Sequence, residues 1–391
     1  MAYPLTITSS AMRDINRSAI LEIIRRESPI SRTAIAQRLD VSLATVMRIV
    51  EELVEDGFVR LQGSTEWSGG RRRPLLEFNS DGYVVIGADL GGTKLYGAAS
   101  DLGGNILDEI SIDHHNSYGE DCYGLLVGMI DHLLESPKIE GKRVRGIGVG
   151  APGITIHKEG IVSWAYTLRW KDFPLKSLLA ERYTLPITVD NDVNLAALGE
   201  LWFGEGQNCR NMILINIGTG IGAGIIIDGA LYRGINEASG EVGSMVPGKE
   251  FFGKSYKDFG ALESFSSGTG IADRARKSRP QDDQLRAEDV FEAARKNRKW
   301  AVEIIDGAVE YLAIAIANLT VVFDPELIVL GGGLTRSADM LVEPILKLID
   351  GTIPTPPRLV VSKLGTRATV MGAVTHVLHN TSNYYVVHKL S

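Results

Sequence analysis

Eight residues, GKEFFGKS at 248–255, match the pattern G-x-x-x-x-G-K-[ST] to the letter. In a phosphate-cradling loop the glycines admit backbone N–H groups and the lysine adds charge, but only where a buried strand enters and a helix leaves. The stretch that follows, YKDFGALES, shows no apolar helical period, so the octapeptide is expected to bind no phosphate. The DFG at 258–260 is equally isolated, with no kinase catalytic loop before it. Better phosphate chemistry lies in three glycine turns elsewhere. DLGGTK places Gly91 and Gly92 just after Asp89, whose carboxylate could hold Mg²⁺ directly or through water. NIGTGIG presents Gly218, Thr219 and Gly220, and VLGGGL presents Gly332 and Gly333, which suit the adenosine end of a nucleotide.

The elements around these turns explain their spacing. YVVIGADLGGTKLYGAASD, from Tyr83, reads as a strand, a glycine turn and a returning strand. NMILINIGTGIGAGIIIDG, from Asn211, repeats the design, which predicts a duplicated α/β fold with a cleft between its halves. AVEIIDGAVEYLAIAIANLTVVF is apolar nearly all round and is expected between the lobes or at a dimer interface. With 391 residues, 44% of them apolar, the chain has room for two or three domains. MAYPLTITSS has no signal-peptide character, and no stretch of 18 residues is uniformly apolar, so a cytoplasmic protein with no membrane partner is expected. Cys122 and Cys209 are too few for a disulfide framework or a Cys-rich zinc site.

The net charge of −7 does not suggest a nucleic-acid binder, but residues 1–80 hold 11 Arg, no Lys and 10 acidic residues. On charge alone, a solvated helical face and a phosphate-gripping surface remain equally open. Periodicity decides between them. Ile15, Ala19, Ile20, Ile23 and Ile24 mark one helix, Ser31 caps a second, and Ser42 caps a third whose buried stripe is Leu43, Val46, Ile49, Val50, Leu53 and Val54. FVRLQGS and RRRPLLEF then form a wing, which makes residues 1–80 a winged helix-turn-helix DNA-binding domain. Its candidate DNA contacts are Ser31, Arg32, Ser42, Ala44, Thr45 and Arg48, with Arg71, Arg72 and Arg73 at the wing.

Taken together, the winged helix, DLGGTK, GVGAPG, VDNDVNLAALGE, INIGTGIGAGIIIDG, GEVG and VLGGGL resemble the ROK family of repressors and sugar kinases, over nearly the whole chain. The resemblance implies a two-lobed actin-like sugar-kinase (ribonuclease H-like) fold, with lobes at 81–199 and 200–391 and a C-terminal helix returning to the first. It also implies sugar contacts from Gly153, Asn191, Asp192, Glu241 and Glu263, with Asp192 as the base if phosphoryl transfer occurs, and nucleotide contacts from Thr93 and Lys94. Asp190 is read as a turn or cap residue. Most of the family carries a His three residues after the first Glu and a Cys-rich zinc loop. Here Ser244 takes the His position and the loop holds no cysteine, so no zinc is expected and the ligand is a sugar or polyol held differently. Members with a winged helix are typically sugar-responsive repressors acting on double-stranded operator DNA as homodimers or larger homo-oligomers. Members without it are mostly ATP-dependent kinases, and the intact DLGGTK leaves Mg·ATP binding open.

Overall fold

A computed structural model describes residues 9–66, 73–114, 117–256 and 260–381. At its N-terminus α1 (Ser9–Glu27), α2 (Arg32–Leu39) and α3 (Leu43–Glu55) precede two antiparallel strands, β1 (Val59–Glu66) and β2 (Arg73–Phe78). Both caps form: the Ser31 hydroxyl accepts from Ala34 N–H at 3.2 Å and the Ser42 hydroxyl from Thr45 N–H at 3.1 Å. Each satisfies a donor that the first helical turn leaves open. Val46, Ile49, Val50 and Leu53 are fully buried, while Leu43 and Val54 are only partly so. On α1, Ser18 and Leu21 are buried alongside the expected Ala19, Ile20 and Ile24, so this helix is covered on more than one side. Arg71, Arg72 and the tail from Ser382 lie outside the described residues; Arg73 opens β2.

The first lobe contains β3 (Val84–Leu90), β4 (Lys94–Asp101), β5 (Ile106–Asp113), α4 (Glu120–Leu134), β6 (Val144–Ala151), β7 (Ile154–Ile156), β8 (Ile161–Ala165), β9 (Trp170–Phe173), α5 (Leu175–Arg182), β10 (Ile187–Asn191) and α6 (Asp192–Phe203). The second contains β11 (Met212–Ile217), β12 (Ile221–Ile227), β13 (Ala230–Leu231), α7 (Glu263–Ser266), α8 (Gly268–Ser278), α9 (Ala287–Arg295), α10 (Lys299–Phe323), β14 (Leu327–Gly331), α11 (Val342–Ile349) and β15 (Leu359–Val361), followed by α12 (Ala368–Thr381). The sheet orders are β10-β6-β3-β4-β5 and β13-β12-β11-β14-β15. In each sheet the first three strands pair antiparallel and the last two add in parallel on the other side. Identical order and sense in both sheets make the duplication a property of the fold.

The helices between the lobes are α6 and α12, not α10. α10 packs inside the second lobe, where Ile304, Leu312 and Ile316 join Ile213, Ile215 and Ile328 of its sheet. A single amphipathic face would suffice for one sheet; α7, α8, α9 and α11 cover more of its apolar surface, while Ile314, Val321 and Val322 stay exposed. α6 is buried from Val193 through Trp202. It fits because glycines flank it on both sides. A methyl group on Gly372 would overlap the Leu195 carbonyl oxygen, one on Gly199 would overlap that of Ala368, and one on Gly224 would stand 2.8 Å from the Val193 carbonyl oxygen. Gly372→Ala is therefore expected to cost about 1–3 kcal/mol, as overpacking does. Gly128→Ala on α4, where a methyl group meets nothing within 4 Å, should instead stabilise by about 0.5–1 kcal/mol. Urea unfolding of both variants against wild type checks the pair.

Candidate functional site

β3 delivers Asp89 to the cleft, and the junction of β10 with α6 delivers Asn191 and Asp192. Asn191 is the N-cap of α6: its Oδ1 accepts from Asn194 N–H at 2.9 Å, and its Nδ2 donates to the Gly153 carbonyl at 2.9 Å. That second bond ties the cap to a turn whose glycine has φ +78 and lies against the Trp164 backbone, where a side chain would not fit. Asp192 Oδ1 accepts from Val193 N–H. From the second lobe, Glu263 accepts from Ile221 N–H at 2.6 Å, and Glu241 stands in the cleft beside it.

Burial raises all four carboxyls, and two of them also feel a neighbouring carboxylate. Burial pushes Asp89 up to about 7, with the Thr369 hydroxyl partly offsetting it. Burial raises Asp192 well above the usual carboxylate range, and the charges of Asp89 and Glu241 push it further. Burial raises Glu241, although it remains open to solvent in the cleft, and takes Glu263 to about 7 with help from Glu241's charge. No Lys or Arg among the described residues contributes to these shifts. These four carboxyls offer acceptors and partial protonation, and the neighbouring cation, Arg233, is taken up by Asp190.

The glycine turns of the duplicated units meet above this cluster. A methyl group on Gly92 would stand 2.8 Å from Thr219 Oγ1, and one on Gly220 2.6 Å from a Glu263 oxygen. Gly218 faces open space while its carbonyl accepts from Gly268 N–H at 2.8 Å. Gly332, with φ +85, packs on Ile217, and Gly333 faces open space. A cavity of about 630 Å³ is lined by Gly332, Gly333, Arg336, Lys363 and Arg367 with Gly104 and Asn105 of the first lobe. Thr93 supports the first turn through its carbonyl, which accepts from His114 N–H; Lys94 is exposed and pairs with Asp113 at 3.5 Å. Asp89 Oδ1 is buried with no hydrogen-bond partner, which suits a Mg²⁺ ion or its waters.

Several site residues carry no local sequence signal. Asp190 is fully buried and is more than a turn residue: Arg233 of the second lobe donates to both of its oxygens at 2.7 and 2.6 Å. Burial alone would raise the Asp190 pKa, but Arg233 and the neighbouring His376 hold it below its usual value. Arg233 also faces Glu237 at 3.8 Å, and Glu237 binds His157 Nδ1 at 3.0 Å, so the network crosses the cleft twice. His114, 3% exposed, contacts the Gly91 carbonyl at 2.7 Å through Nε2.

Ser244 is exposed in a 3-10 turn, and among the described residues no group of three or more His, Cys, Asp or Glu is placed to hold a metal. The residues therefore do not fit the zinc that the family resemblance implies. The loop is anchored differently: Phe251, 3% exposed, packs edge-to-face on Phe265 and Tyr311, each with centroids 5.1 Å away. Phe251 belongs to GKEFFGKS, which forms a 3-10 turn and no strand–loop–helix. On the winged helix, Ser42, Ala44 and Arg48 are exposed and Thr45 partly so, while Arg32 donates to the Pro74 carbonyl at 3.4 Å.

Residues 85–380 match the sequence profile of the ROK family, and residues 13–60 that of a winged helix-turn-helix DNA-binding unit. The chain belongs to the ROK family. This ROK protein is 30% identical to the xylose repressor of Caldicellulosiruptor bescii, covering 95% of its own length and 98% of the relative's. Its fold matches the crystal structure of a ROK family transcriptional regulator homologous to the E. coli MLC protein, with TM-score 0.82, 27% identity and coverage of 95% and 97%. A ROK family glucokinase from Streptomyces griseus, solved with glucose and AMPPNP, matches with TM-score 0.65 and 28% identity, covering 75% of this chain and 98% of that one. Both of these relatives that span the winged helix, the xylose repressor and the MLC homologue, are regulators.

The raised carboxyls of this ROK cleft make a signed prediction. With a folded pKa of about 7 against an ordinary 3.8, Asp89 binds its proton more tightly in the folded chain. Stability is then lost as pH rises from about 4 to about 7 and stays lost above. Asp89→Asn should be more stable than wild type by about 1–3 kcal/mol at pH 8, with the gap closing near pH 4. Urea unfolding at the two pH values measures it.

Proposed function

We propose that this ROK protein is a sugar-responsive transcriptional repressor that binds operator DNA as a dimer and senses a neutral sugar or polyol in the cleft. The observation that carries the reading is the cluster of Asp89, Asp192, Glu241 and Glu263, with no cation among them, in a chain that also carries a winged helix. Carboxyls without a cation accept hydrogen bonds from hydroxyl groups and repel phosphate or carboxylate. A neutral polyhydroxyl ligand fits. Asn191, Asp192, Glu241 and Glu263 would accept from its hydroxyls, with Gly153 along the ring and Ser244 completing the wall. Similarity to xylose repressors over the whole chain supports the regulatory part. Ser42, Ala44, Thr45 and Arg48 would enter the major groove, and a dimer would set two such helices about one helical turn of DNA apart or a multiple of it.

Two features favour a nucleotide as co-signal: the unpartnered Asp89 oxygen and the cavity beside Gly332 and Gly333, where Arg336 joins Lys363 and Arg367, themselves paired with Glu205 and Glu109. Mg²⁺ would be held by Asp89, phosphates by the turns at Gly91, Gly92, Gly218, Thr219 and Gly220, and adenosine by Gly332 and Gly333. When bound, the ion would offset the cluster's negative charge. In the second reading, a sugar kinase, Asp192 takes the proton from the attacking hydroxyl, and its raised pKa lies in the direction a general base needs.

Calorimetric titration with D-xylose, D-glucose, N-acetylglucosamine and xylitol, with and without Mg·ATP, separates the readings. Saturable binding of at least one compound without ATP, with no ADP formed when ATP is added, is the expected result. Asp192→Asn should weaken that binding by about tenfold, the loss of one charged hydrogen bond. Sustained ADP production with one sugar makes the protein an enzyme instead.

A further inference from the structure

The winged helix does not hang from the lobes by a linker. Ile20, Leu21 and Ile24 of α1 lie in one continuous core with Leu198, Leu201 and Trp202 of α6 and Leu378 of α12. The Arg25 guanidinium sits 4.3 Å over the Trp202 ring, and Trp202 meets His379 of α12 edge-on at 5.4 Å. This contact accounts for the second buried side of α1, where Ser18 and Leu21 lie. The opposite end of α6 is the sugar cluster, with Asn191 as its cap and Asp192 as its first residue. Twelve helical residues span about 18 Å, so one rigid rod joins the cleft to the DNA-binding domain.

A second contact holds the other side of the winged helix. Tyr83, one residue before β3, donates to the Asp56 carbonyl at 2.6 Å, at the C-terminal end of recognition helix α3. Tyr83 stacks near Phe58 with centroids 5.3 Å apart, and Arg145 of β6 lies 5.3 Å over Tyr83 while donating to the Thr381 carbonyl. This anchor belongs to the first sheet. α6, by contrast, also packs on β12 of the second lobe through Gly222 and Gly224, so it feels any movement between the lobes.

We propose that α6 is the relay from cleft to DNA: ligand closure displaces α6, Trp202 carries the displacement to Arg25 on α1, and the winged helix turns about the Tyr83–Asp56 anchor. The relay rests on the sugar-responsive reading of the cleft. Helices transmit displacement because their internal hydrogen bonds leave no soft torsion along the axis, and close packing on both flanks leaves α6 no room to absorb it by bending.

Arg25→Met and Trp202→Ala in the full chain test it. Calorimetric unfolding without ligand should show one transition for wild type, and an earlier, separate winged-helix transition for each variant. A wild type that already unfolds in two steps, unchanged by Arg25→Met, overturns the clamp. Binding is then measured with D-xylose and D-glucose, and on the duplex that wild type selects from a random-sequence pool. Both variants should keep sugar and DNA affinities within about threefold of wild type, while the sugar-induced change in DNA affinity falls from about tenfold or more to under about twofold. Arg25→Met stands if Trp202→Ala fails to fold. A variant that retains the wild-type response overturns the relay. A wild type whose DNA affinity ignores every sugar that it binds refutes the functional reading, and the ligand-free unfolding still decides the clamp.

Discussion

Everything in this protein is arranged around the close crossing of α6 and α12. Gly199 and Gly372 let the two backbones touch, and any side chain at either position would overlap a carbonyl oxygen. Through that crossing the first lobe receives the last helix of the chain, and β12 of the second lobe gains a surface to pack on. One end of α6 then carries the carboxyl and cap of the cleft, and the other end meets the winged helix. A looser crossing would uncouple three parts that are otherwise separate in sequence.

The cleft divides its chemistry by charge. At the α6 end, burial raises the pKa of four carboxyls, and neighbouring carboxylates raise Asp192 and Glu263 further. Beyond the glycine turns, Arg336, Lys363 and Arg367 line a cavity, with Lys363 paired to Glu205 and Arg367 to Glu109. The carboxyl cluster costs the folded chain stability at neutral pH, as sites built for ligands commonly do. A ligand rich in hydroxyl donors would return part of that cost. The aromatic packing of Phe251, Phe265 and Tyr311 anchors the loop that follows Ser244.

Much of this was legible in the sequence because it is local. Caps at Ser31 and Ser42, the stripe of α3 and the glycine turns at Gly91 and Gly218 depend on residues a few positions apart, and they form as their spacing requires. The family's motifs implied sugar contacts from Asn191 and Asp192, and the structure puts both at the junction of β10 with α6. What sequence reading missed depends on distant partners. Asp190 looks like a turn residue until Arg233, 43 positions later, is folded against it. His114 has no neighbours in sequence that suggest it touches Gly91. α10 lies in a lobe core and not between the lobes, and an all-apolar helix is equally consistent with either; the expected dimer interface would use its exposed Ile314, Val321 and Val322. The true boundary helix, α6, is marked by small residues: Ala196, Ala197 and Gly199 in the helix, and Gly222, Gly224 and Gly372 opposite.

The most direct test of a sugar-sensing repressor is the DNA affinity of the unmodified chain as a function of sugar. Fluorescence anisotropy on a duplex selected by the protein itself, titrated at fixed salt with the sugar that calorimetry identifies, gives that number. The account predicts a fall in affinity of about tenfold or more at saturation, the range of an ordinary allosteric coupling. An affinity unchanged by a sugar that demonstrably occupies the cleft would contradict it.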